Sequence, residues 1–243
     1  MRPFLLLSTR PEDAAADGEL AAFRHFGGLG VNDIERIRLE AVPLPHLHLE
    51  DYSGIIVGGS PFTTSVPVRY KSDSQLRVEA EFEGLLDRVV EQDYPFLGAC
   101  YGVGTLGRHQ GGIVDLTFPE PISAAHIELT DDGVADPLLA GVPQHFRAYV
   151  GHKEACTRLP DHAVLLATSP SCPVQMFRIG QNMYATQFHP ELNYEWLCER
   201  IDIYQDAGYF RPEEIDDVKA RTRDIDVSHA HLIIRNFVER YAR

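Results

Sequence analysis

Cys100 ends a short apolar run of the sequence and has a glycine two residues away on either side. Residues 95–102 read Pro-Phe-Leu-Gly-Ala-Cys-Tyr-Gly, so Cys100 has Gly98 two residues before it and Gly102 two residues after it. Gly-x-Cys-x-Gly after a strand is the sequence form of a nucleophile elbow, a tight strand-to-helix turn at which the two backbones pass closely. The sulfur would then lie at a helix N-terminus, where unpaired N–H groups and the helix dipole favour a negative charge. The pattern therefore predicts a cysteine nucleophile.

A nucleophilic cysteine needs a base, and that base needs a third group to fix its tautomer. His189 ends an apolar stretch, and Glu191 follows two residues later across Pro190. In an extended backbone, positions i and i+2 face the same way, so the carboxylate can accept a hydrogen bond from one imidazole nitrogen while the other faces Cys100. His-Pro-Glu alone is more typical of a surface turn. Paired with an elbow cysteine, it favours a catalytic pair.

Attack of a thiolate on a carbonyl also needs donors for the oxyanion that forms, each worth roughly 3 kcal/mol of barrier. The apolar segment 55–57 is followed by Gly58 and Gly59. A strand that ends in two glycines can turn its backbone N–H groups toward a neighbouring strand end. The amide of Tyr101, directly after the nucleophile, would be a second donor. A plain glycine turn is the alternative interpretation of the glycine pair taken alone.

The elements that must position these residues alternate in type over the first half of the chain. Segments 4–7, 54–57 and 96–99 are short and apolar, whereas 12–26 and 74–90 have helical periodicity. This alternation is typical of βαβ units and predicts a parallel sheet. A short helix should follow the cysteine, and the next apolar segments are joined by short loops, which predicts an antiparallel second half. Those segments are 113–116, 124–129, 146–150, 164–167, 174–179 and 183–188.

The composition is that of a globular protein with a strong negative balance. Of 243 residues, 44% are hydrophobic and 24% are charged, and the formal net charge is −14. This charge disfavours phosphate backbones and anionic lipid as partners. No apolar run approaches the roughly 20 residues of a membrane span, and the short apolar start favours a first strand over a signal peptide. We therefore expect a cytoplasmic protein with no nucleic-acid partner and no membrane partner.

The cysteines give no sign of a disulfide framework. They stand at positions 100, 156, 172 and 198, without a Cys-x-x-Cys pair. In a cytosolic chain of this length we expect free thiols, and a bridge between positions 156 and 172 is the disfavoured alternative.

Neither a metal nor a cofactor is expected. The histidine pairs at 46 and 48 and at 229 and 231 have no third ligand at a recognised spacing. Segment 102–107 fits the dinucleotide-binding pattern Gly-x-Gly-x-x-Gly. However, the helix that it would open is short, and no acidic residue ends a clear second strand at the required distance of about 20 residues.

The glycine pair, the elbow and the segment Phe-His-Pro-Glu, in this order, resemble the class I glutamine amidotransferases, the triad family whose glutaminase domains include that of GMP synthetase. The resemblance implies an α/β fold, with a mixed, largely parallel central sheet flanked by helices in a flavodoxin-like three-layer arrangement. It covers residues 1–192, which we expect to form the amidotransferase-like domain. Residues 193–243 read as a helical C-terminal extension packed on the same domain.

The resemblance also implies roles for individual residues. Cys100 would be the nucleophile, His189 the general base and then the general acid, and Glu191 the group that orients the histidine. The backbone amides of Gly59 and Tyr101 would form the oxyanion hole. The reaction would pass through a thioester and release ammonia.

Substrate binding is where the sequence departs from the family. Members commonly carry Gln four residues after the nucleophile, where it helps to hold the substrate glutamine, and this chain has Gly104. Segment 150–154, Val-Gly-His-Lys-Glu, resembles the family's Ser-His-Gly-Asp segment near the substrate. Tyr101, His152 or Gln187 would have to compensate for the missing amide. The predicted substrate-binding residues are Gly58, Gly104, His152 and Gln187.

The leading hypothesis is a glutaminase-type amidase that acts by covalent Cys-His-Glu catalysis on the carboxamide of glutamine or a γ-glutamyl relative. The ammonia would pass to a separate synthase subunit or be released freely. One alternative is a γ-glutamyl hydrolase, which forms the same thioester but releases a bulkier amine, consistent with the open space at Gly104. Another is a catalytically silent binding or sensor subunit. The presence of all three triad residue types argues against the silent subunit.

Overall fold

A computed structural model of the chain describes residues 1–205, 208 and 210–243. The strands are β1 (Phe4–Ser8), β2 (Ile34–Arg38), β3 (Ile55–Val57), β4 (Phe96–Ala99), β5 (Ile113–Asp115), β6 (Glu120–Leu129), β7 (His145–His152), β8 (Ala155–Arg158), β9 (Val164–Thr168), β10 (Met176–Ile179) and β11 (Met183–Thr186). The helices are α1 (Asp13–Gly27), α2 (Asp73–Glu91), α3 (Tyr101–His109), α4 (Asp131–Ala135), α5 (Tyr194–Ile203), α6 (Ile215–Thr222) and α7 (Ser228–Tyr241).

A nine-stranded sheet forms the centre of the described residues, in the order β2-β1-β3-β4-β11-β10-β9-β6-β7. The neighbours from β2 to β11 pair in parallel, and those from β11 to β7 pair antiparallel. Strands β5 and β8 form a separate antiparallel pair. The mixed, three-layer α/β fold with its antiparallel second half is therefore confirmed.

The central strands are apolar because helices cover both of their faces. In β1, Leu5 and Leu7 pack in the same core as Phe82 of α2, whereas Phe4 and Leu6 pack in the opposite core. Successive side chains of a strand point to opposite faces, so a strand buried on both sides is apolar at every position. The four residues of β4 are likewise all buried, and this strand leads directly into the elbow.

The sequence pattern does not predict strand β2, because charged residues interrupt its apolar ones. It reads Ile-Glu-Arg-Ile-Arg and lies at the edge of the sheet, paired only with β1 in the described sheet. Arg36 and Arg38 form ion pairs with Asp17 and Asp13 of α1. Charged side chains are a common feature of edge strands, which must avoid pairing with other chains. The continuous apolar run that identifies the central strands is therefore absent here.

The C-terminal helices lie against the first helix and the site-bearing end of the sheet. Phe237 of α7 packs against Phe4 with 5.8 Å between ring centroids, and both side chains are fully buried. Leu197 and Ile201 of α5 share a buried cluster with Tyr149 of β7. Among the described residues, no helix combines the length and the apolarity that crossing a membrane requires.

Candidate active site

Two neighbouring parallel strands bring the predicted nucleophile and base to one edge of the sheet. Strands β4 and β11 pair in parallel with Ala99 opposite Thr186, and the Cys100 N–H donates to the Thr186 carbonyl at 2.7 Å. Three residues beyond β11, the His189 N–H donates to the Tyr149 carbonyl of β7 at 2.8 Å. Because parallel strands end at the same edge, the chain positions after β4 and β11 face one site.

The turn at the cysteine has the strained geometry of an elbow. Cys100 has φ 54° and ψ −81°, a combination rarely adopted by residues other than glycine, and it directly precedes α3. A Cβ on Gly98 would lie 2.6 Å from the Gly102 Cα, so the strand and the helix can pass only because residue 98 has no side chain. A Cβ on Gly102 would meet no other atom within 4 Å. The close approach therefore depends on the first glycine of the motif.

The structure brings Cys100, His189 and Glu191 together. His189 Nδ1 lies 2.8 Å from Glu191 Oε1, and the ring lines the same cavity as Cys100, whose charge acts on it. Since Nδ1 contacts the carboxylate, Nε2 is the nitrogen left for the thiol. Glu191 is fully buried, and His189 is 8% exposed. The site thus combines a nucleophile, a base and an orienting carboxylate, the groups that covalent catalysis requires.

Charge pairing decides the protonation of this buried histidine and glutamate. Burial alone lowers the pKa of His189, but the charges of Glu191 and Cys100 outweigh it and raise the pKa to about 9. Burial raises the pKa of Glu191, but the His189 charge and hydrogen bond, with the charge of Arg200, bring it down to about 2. Glu191 is therefore a carboxylate at neutral pH, and it favours a protonated imidazole beside the sulfur.

The glycine pair after β3 lies against the histidine. A Cβ on Gly59 would be 2.5 Å from Arg10 Nη2 and 2.8 Å from His189 Cε1, and a Cβ on Gly58 would be 2.3 Å from the Glu19 carboxylate. Both positions therefore exclude a side chain, which a plain surface turn would not require. The Gly59 backbone thus runs past the imidazole ring.

A charged network that sequence reasoning missed supports this region. The Arg10 Nε donates to Glu19 Oε1 at 2.8 Å, and the Ser8 hydroxyl donates to Glu19 Oε2 at 2.9 Å. Arg200 of α5 lies between two carboxylates, with 3.7 Å from Nη2 to Glu19 Oε1 and 3.7 Å from Nη1 to Glu191 Oε1. All of these side chains are buried. No local sequence motif predicts this network, because each charged residue taken alone is typical of a solvated surface.

Helix α7 also contacts the segment that carries the histidine and glutamate. His231 Nδ1 lies 2.7 Å from the Pro190 carbonyl and donates to it, and its ring stacks on Phe26 at 3.5 Å between centroids. Burial lowers the pKa of His231, the larger effect, although the Pro190 carbonyl and Glu191 act in the opposite direction. One histidine of the pair at 229 and 231 therefore has a structural contact that explains its presence.

Gly104 provides space for a carboxylate. The Glu154 side chain accepts from the Thr64 N–H at 2.8 Å, from the Thr64 hydroxyl at 3.0 Å and from the Ser65 N–H at 2.7 Å. A Cβ at position 104 would lie 3.1 Å from Glu154 Oε1 and from Thr64 Oγ1. The carboxylate thereby connects the turn between β7 and β8 to the loop after β3, beside Gly104 of α3.

Gln187 and His152 both line a cavity on this side of Cys100, together with Gly104 and Tyr101. Gln187 is 1% exposed, and its Oε1 has no hydrogen-bond partner in the structure. Both ring nitrogens of His152 face acceptors inside the protein, the Glu154 carbonyl at 3.0 Å from Nδ1 and Glu120 Oε2 at 2.8 Å from Nε2. Gln187 thus presents an unpaired acceptor, whereas the polar atoms of His152 are engaged.

One cluster in the described residues has the composition of a metal site. Glu120, His152 and Cys172 are buried, with their ligand atoms within 4.8 Å of one another. Glu120 also accepts from Gln175 Nε2 at 2.7 Å and from the Ser171 hydroxyl. Burial raises the pKa of the Cys172 thiol to about 12, which opposes the thiolate form that binds metal. The cluster is therefore best described as a hydrogen-bonded network that fixes His152.

A family relationship extends along most of the chain. The model of the family described as glutamine amidotransferase class-I matches residues 28–195. Relatives include the glutamine-hydrolyzing GMP synthases of Neisseria meningitidis, 27% identical over 191 residues, and of Shigella boydii, 29% identical over 185 residues. These stretches cover 75% and 71% of this chain but only 34% and 33% of the relatives. The chain thus spans about a third of the length of these relatives.

Solved structures share the fold over nearly the whole chain. A glutamine amidotransferase from Thermotoga maritima has a TM-score of 0.75 at 20% identity, covering 99% of this chain and 98% of that one. A glutamine amidotransferase from Methylobacillus flagellatus has a TM-score of 0.73 at 18% identity, covering 100% and 96%. At these identities the likeness concerns the fold alone. The match of the family model to most of the sequence carries the conclusion: the chain belongs to the glutamine amidotransferase class-I family.

Proposed function

We propose that this protein is a cysteine amidohydrolase of glutaminase type, which releases ammonia from the carboxamide of glutamine through a thioester. The observation that supports it best is the meeting of Cys100, on its strained turn, and His189 at one cavity, with His189 Nδ1 2.8 Å from the Glu191 carboxylate. Members of the family are typically cysteine amidohydrolases, and this arrangement is what their chemistry needs.

The reaction would proceed in two half-reactions. The Cys100 sulfur attacks the carboxamide carbon, and the charge that develops on oxygen is stabilised by the amides of Gly59 and Tyr101. His189 gives its proton to the nitrogen, the C–N bond breaks, and ammonia leaves. Water then attacks the thioester while His189 takes its proton, which yields glutamate and the free thiol. Throughout, Glu191 orients the ring and stabilises the imidazolium.

The glutamyl group would bind on the Gly104 side of the cysteine. The cavity there is lined by polar groups, among them Gln187, Lys153 and Glu154. The unpaired Oε1 of Gln187 would accept a hydrogen bond from the substrate ammonium, which removes the cost of a buried acceptor without a donor. His152 would contribute the shape of its ring, since both ring nitrogens are engaged within the protein, and the backbone of Gly58 completes our proposed substrate contacts. The glutamine specificity that the family obtains from its Gln would here depend on these groups.

We further propose that the ammonia passes to a separate synthase. The GMP synthases to which the chain is similar are named as glutamine-hydrolyzing, and the similarity covers about a third of their length. A cytoplasmic location is part of the proposal. Its support is that all four cysteines are free thiols, as expected in a reducing compartment.

The test is ammonia release from glutamine, together with labelling by a glutamine-like electrophile such as 6-diazo-5-oxo-norleucine. We expect Cys100→Ala to abolish labelling and to lower kcat by about 10⁴-fold or more. Cys198→Ala is the matched control, since that thiol is also partly exposed and free, and it should behave as the parent does. The proposal fails if Cys100→Ala keeps the parent's activity, or if the parent is neither labelled nor active.

A further inference from the structure

A second cavity opens on the other side of Cys100. It encloses about 560 Å³ of space, which includes open solvent at its mouth. Its walls include Ile122, Val150, Leu192 and Leu197, all of them buried apolar side chains. These side chains come from different parts of the fold: Ile122 belongs to β6, and Leu197 belongs to α5.

The position of the catalytic groups decides which part of a substrate this cavity would receive. His189 lines it together with Cys100, whereas Tyr101 and Gly104 line the cavity on the opposite side. The leaving nitrogen must take its proton from His189, so the leaving group lies on the histidine side. The acyl group must lie near the amide of Tyr101, so the glutamyl part lies on the other side.

The arginines at this cavity have carboxylate partners within the protein. Arg10 and Arg200 line it, but Arg10 is paired with Glu19, and Arg200 lies 3.7 Å from both Glu19 and Glu191. Two guanidinium groups therefore face two carboxylates. Four apolar side chains thus form much of the lining, and both arginines have carboxylate partners within the protein, which favours an uncharged apolar group as the occupant.

We infer that this cavity is a leaving-group subsite for an apolar amine, so that the substrate class includes γ-glutamyl amides of small aliphatic or aromatic amines. The inference rests on the proposed function, because it uses the same nucleophile and the same acid. Ammonia alone has no apolar surface to bury, so hydrolysis of glutamine gives no reason for an apolar compartment beside the histidine.

The chemistry differs from glutamine hydrolysis only in the amine released. The Cys100 sulfur bonds to the amide carbon, the C–N bond breaks, and the nitrogen takes the proton of His189 and leaves as the free amine. Water then cleaves the thioester, with its proton passing to His189 and the sulfur leaving. The products are glutamate and one equivalent of amine, and no oxidant or co-reactant is needed.

Three matched substrates test the subsite on the unaltered protein. They are glutamine, γ-glutamyl propylamide and γ-glutamyl ethanolamide, in which a hydroxyl replaces the terminal methyl group of the propyl chain. We expect kcat/KM for the propylamide to exceed that for each of the other two by about 10-fold or more, as one well-placed apolar group in a pocket allows. The measured products are ammonia and the free amines.

Variants that fill the cavity sharpen the test. Leu197→Phe should lower kcat/KM for the propylamide by about 10-fold while it changes glutamine hydrolysis by less than about 3-fold. Leu197→Met is the control, since it conserves volume. Ile122→Phe fills the cavity from β6 and should act in the same way, and thermal unfolding shows that each variant is folded.

The outcomes separate the inference from the proposed function. Activity on glutamine without preference for the propylamide overturns the subsite and leaves the glutaminase intact. Activity on the propylamide but not on glutamine supports the subsite and refutes glutamine as the substrate. Inactivity on all three substrates, with no labelling of Cys100, overturns both. Equal losses on glutamine and propylamide in the folded Leu197→Phe variant also contradict the subsite.

Discussion

The ends of the parallel strands and the C-terminal helices both contribute to the site, but they contribute different things. The strand ends supply the groups that would react, since Cys100 follows β4, and His189 and Glu191 follow β11. The helices supply groups that touch those residues. Arg200 of α5 approaches Glu191, and His231 of α7 binds the Pro190 carbonyl. The family model ends at residue 195, before either of these two side chains.

This difference implies a division of labour. Reacting groups must be held within a fraction of an ångström, and strands buried on both faces provide that rigidity. Groups that act at a distance through charge or shape tolerate more displacement. We therefore expect substitutions at the strand ends to have large effects on rate, and substitutions in the helices to have smaller ones.

After the loss of Cys100 itself, the largest effect that we expect in this comparison is that of Glu191→Gln. The change keeps the shape but removes the charge that orients His189 and stabilises its protonated form, and the analogous change in a serine protease triad costs about 10⁴-fold in kcat. We expect about 10³-fold or more. The measurement is kcat for glutamine, with the exposed Glu195→Gln of α5 as control. A loss of less than about 10-fold would mean that Glu191 is not the orienting group.

The pH profile of the parent tests the same pair. Burial lowers the pKa of His189, but Glu191 and Cys100 raise it to about 9, so the imidazolium is present below pH 9 and lost above it. We expect kcat/KM to fall as the pH rises through about 9. The stability due to this pair should likewise be fully present below the ordinary pKa of 6.5 and be lost through about 9. A parent profile that stays flat to pH 10 would contradict this assignment.

A smaller effect is expected for Gly59→Ala, in the loop beside the strand ends. An added Cβ would lie 2.5 Å from Arg10 Nη2 and 2.8 Å from His189 Cε1, so the backbone or the ring must move. Displacing one oxyanion donor costs about 10²-fold in kcat. Gly84→Ala in α2 is the control, because its Cβ would meet no atom within 4 Å. If both variants keep the parent's kcat, the Gly59 amide has no part in the reaction.

The parts that were predictable from the sequence are those where the signal is local. Strands such as β4 are buried on both faces and read as apolar runs, and the elbow, the glycine pair and His-Pro-Glu are short motifs. The fold class and the family were therefore predicted correctly. The catalytic roles of Cys100, His189 and Glu191 stay predictions, although the structure brings these side chains together.

The contacts that could not be predicted from the sequence join residues that are far apart in the chain. Arg200 and Glu19 are 181 residues apart by their numbering, and each alone has the appearance of a surface charge. Glu154 meets Thr64 only because two loops are folded together beside Gly104. Such pairs have no period and no fixed spacing, so neither propensity nor motif reveals them.

The smallest effect, and the one that tests the division of labour most directly, is expected for Arg200→Gln. Burial raises the pKa of Glu191, whereas His189 and, to a smaller extent, Arg200 lower it. Removing a buried partner should destabilise the fold by about 3 kcal/mol. Because Glu191 keeps its 2.8 Å contact with His189, we expect kcat to fall by only about 10-fold, equivalent to about 1.4 kcal/mol.

Two readouts separate positioning from mere support of the fold. In the Arg200→Gln variant, Glu191 should take up a proton at a higher pH, so the acid limb of the kcat/KM profile should move upward, whereas loss of packing alone would leave the profile in place. Arg200→Lys keeps the charge and should restore the profile, and Arg235→Gln on the exposed face of α7 is the control. If Arg200→Gln costs as much rate as Glu191→Gln while remaining folded, the C-terminal helices carry catalysis as directly as the strand ends do.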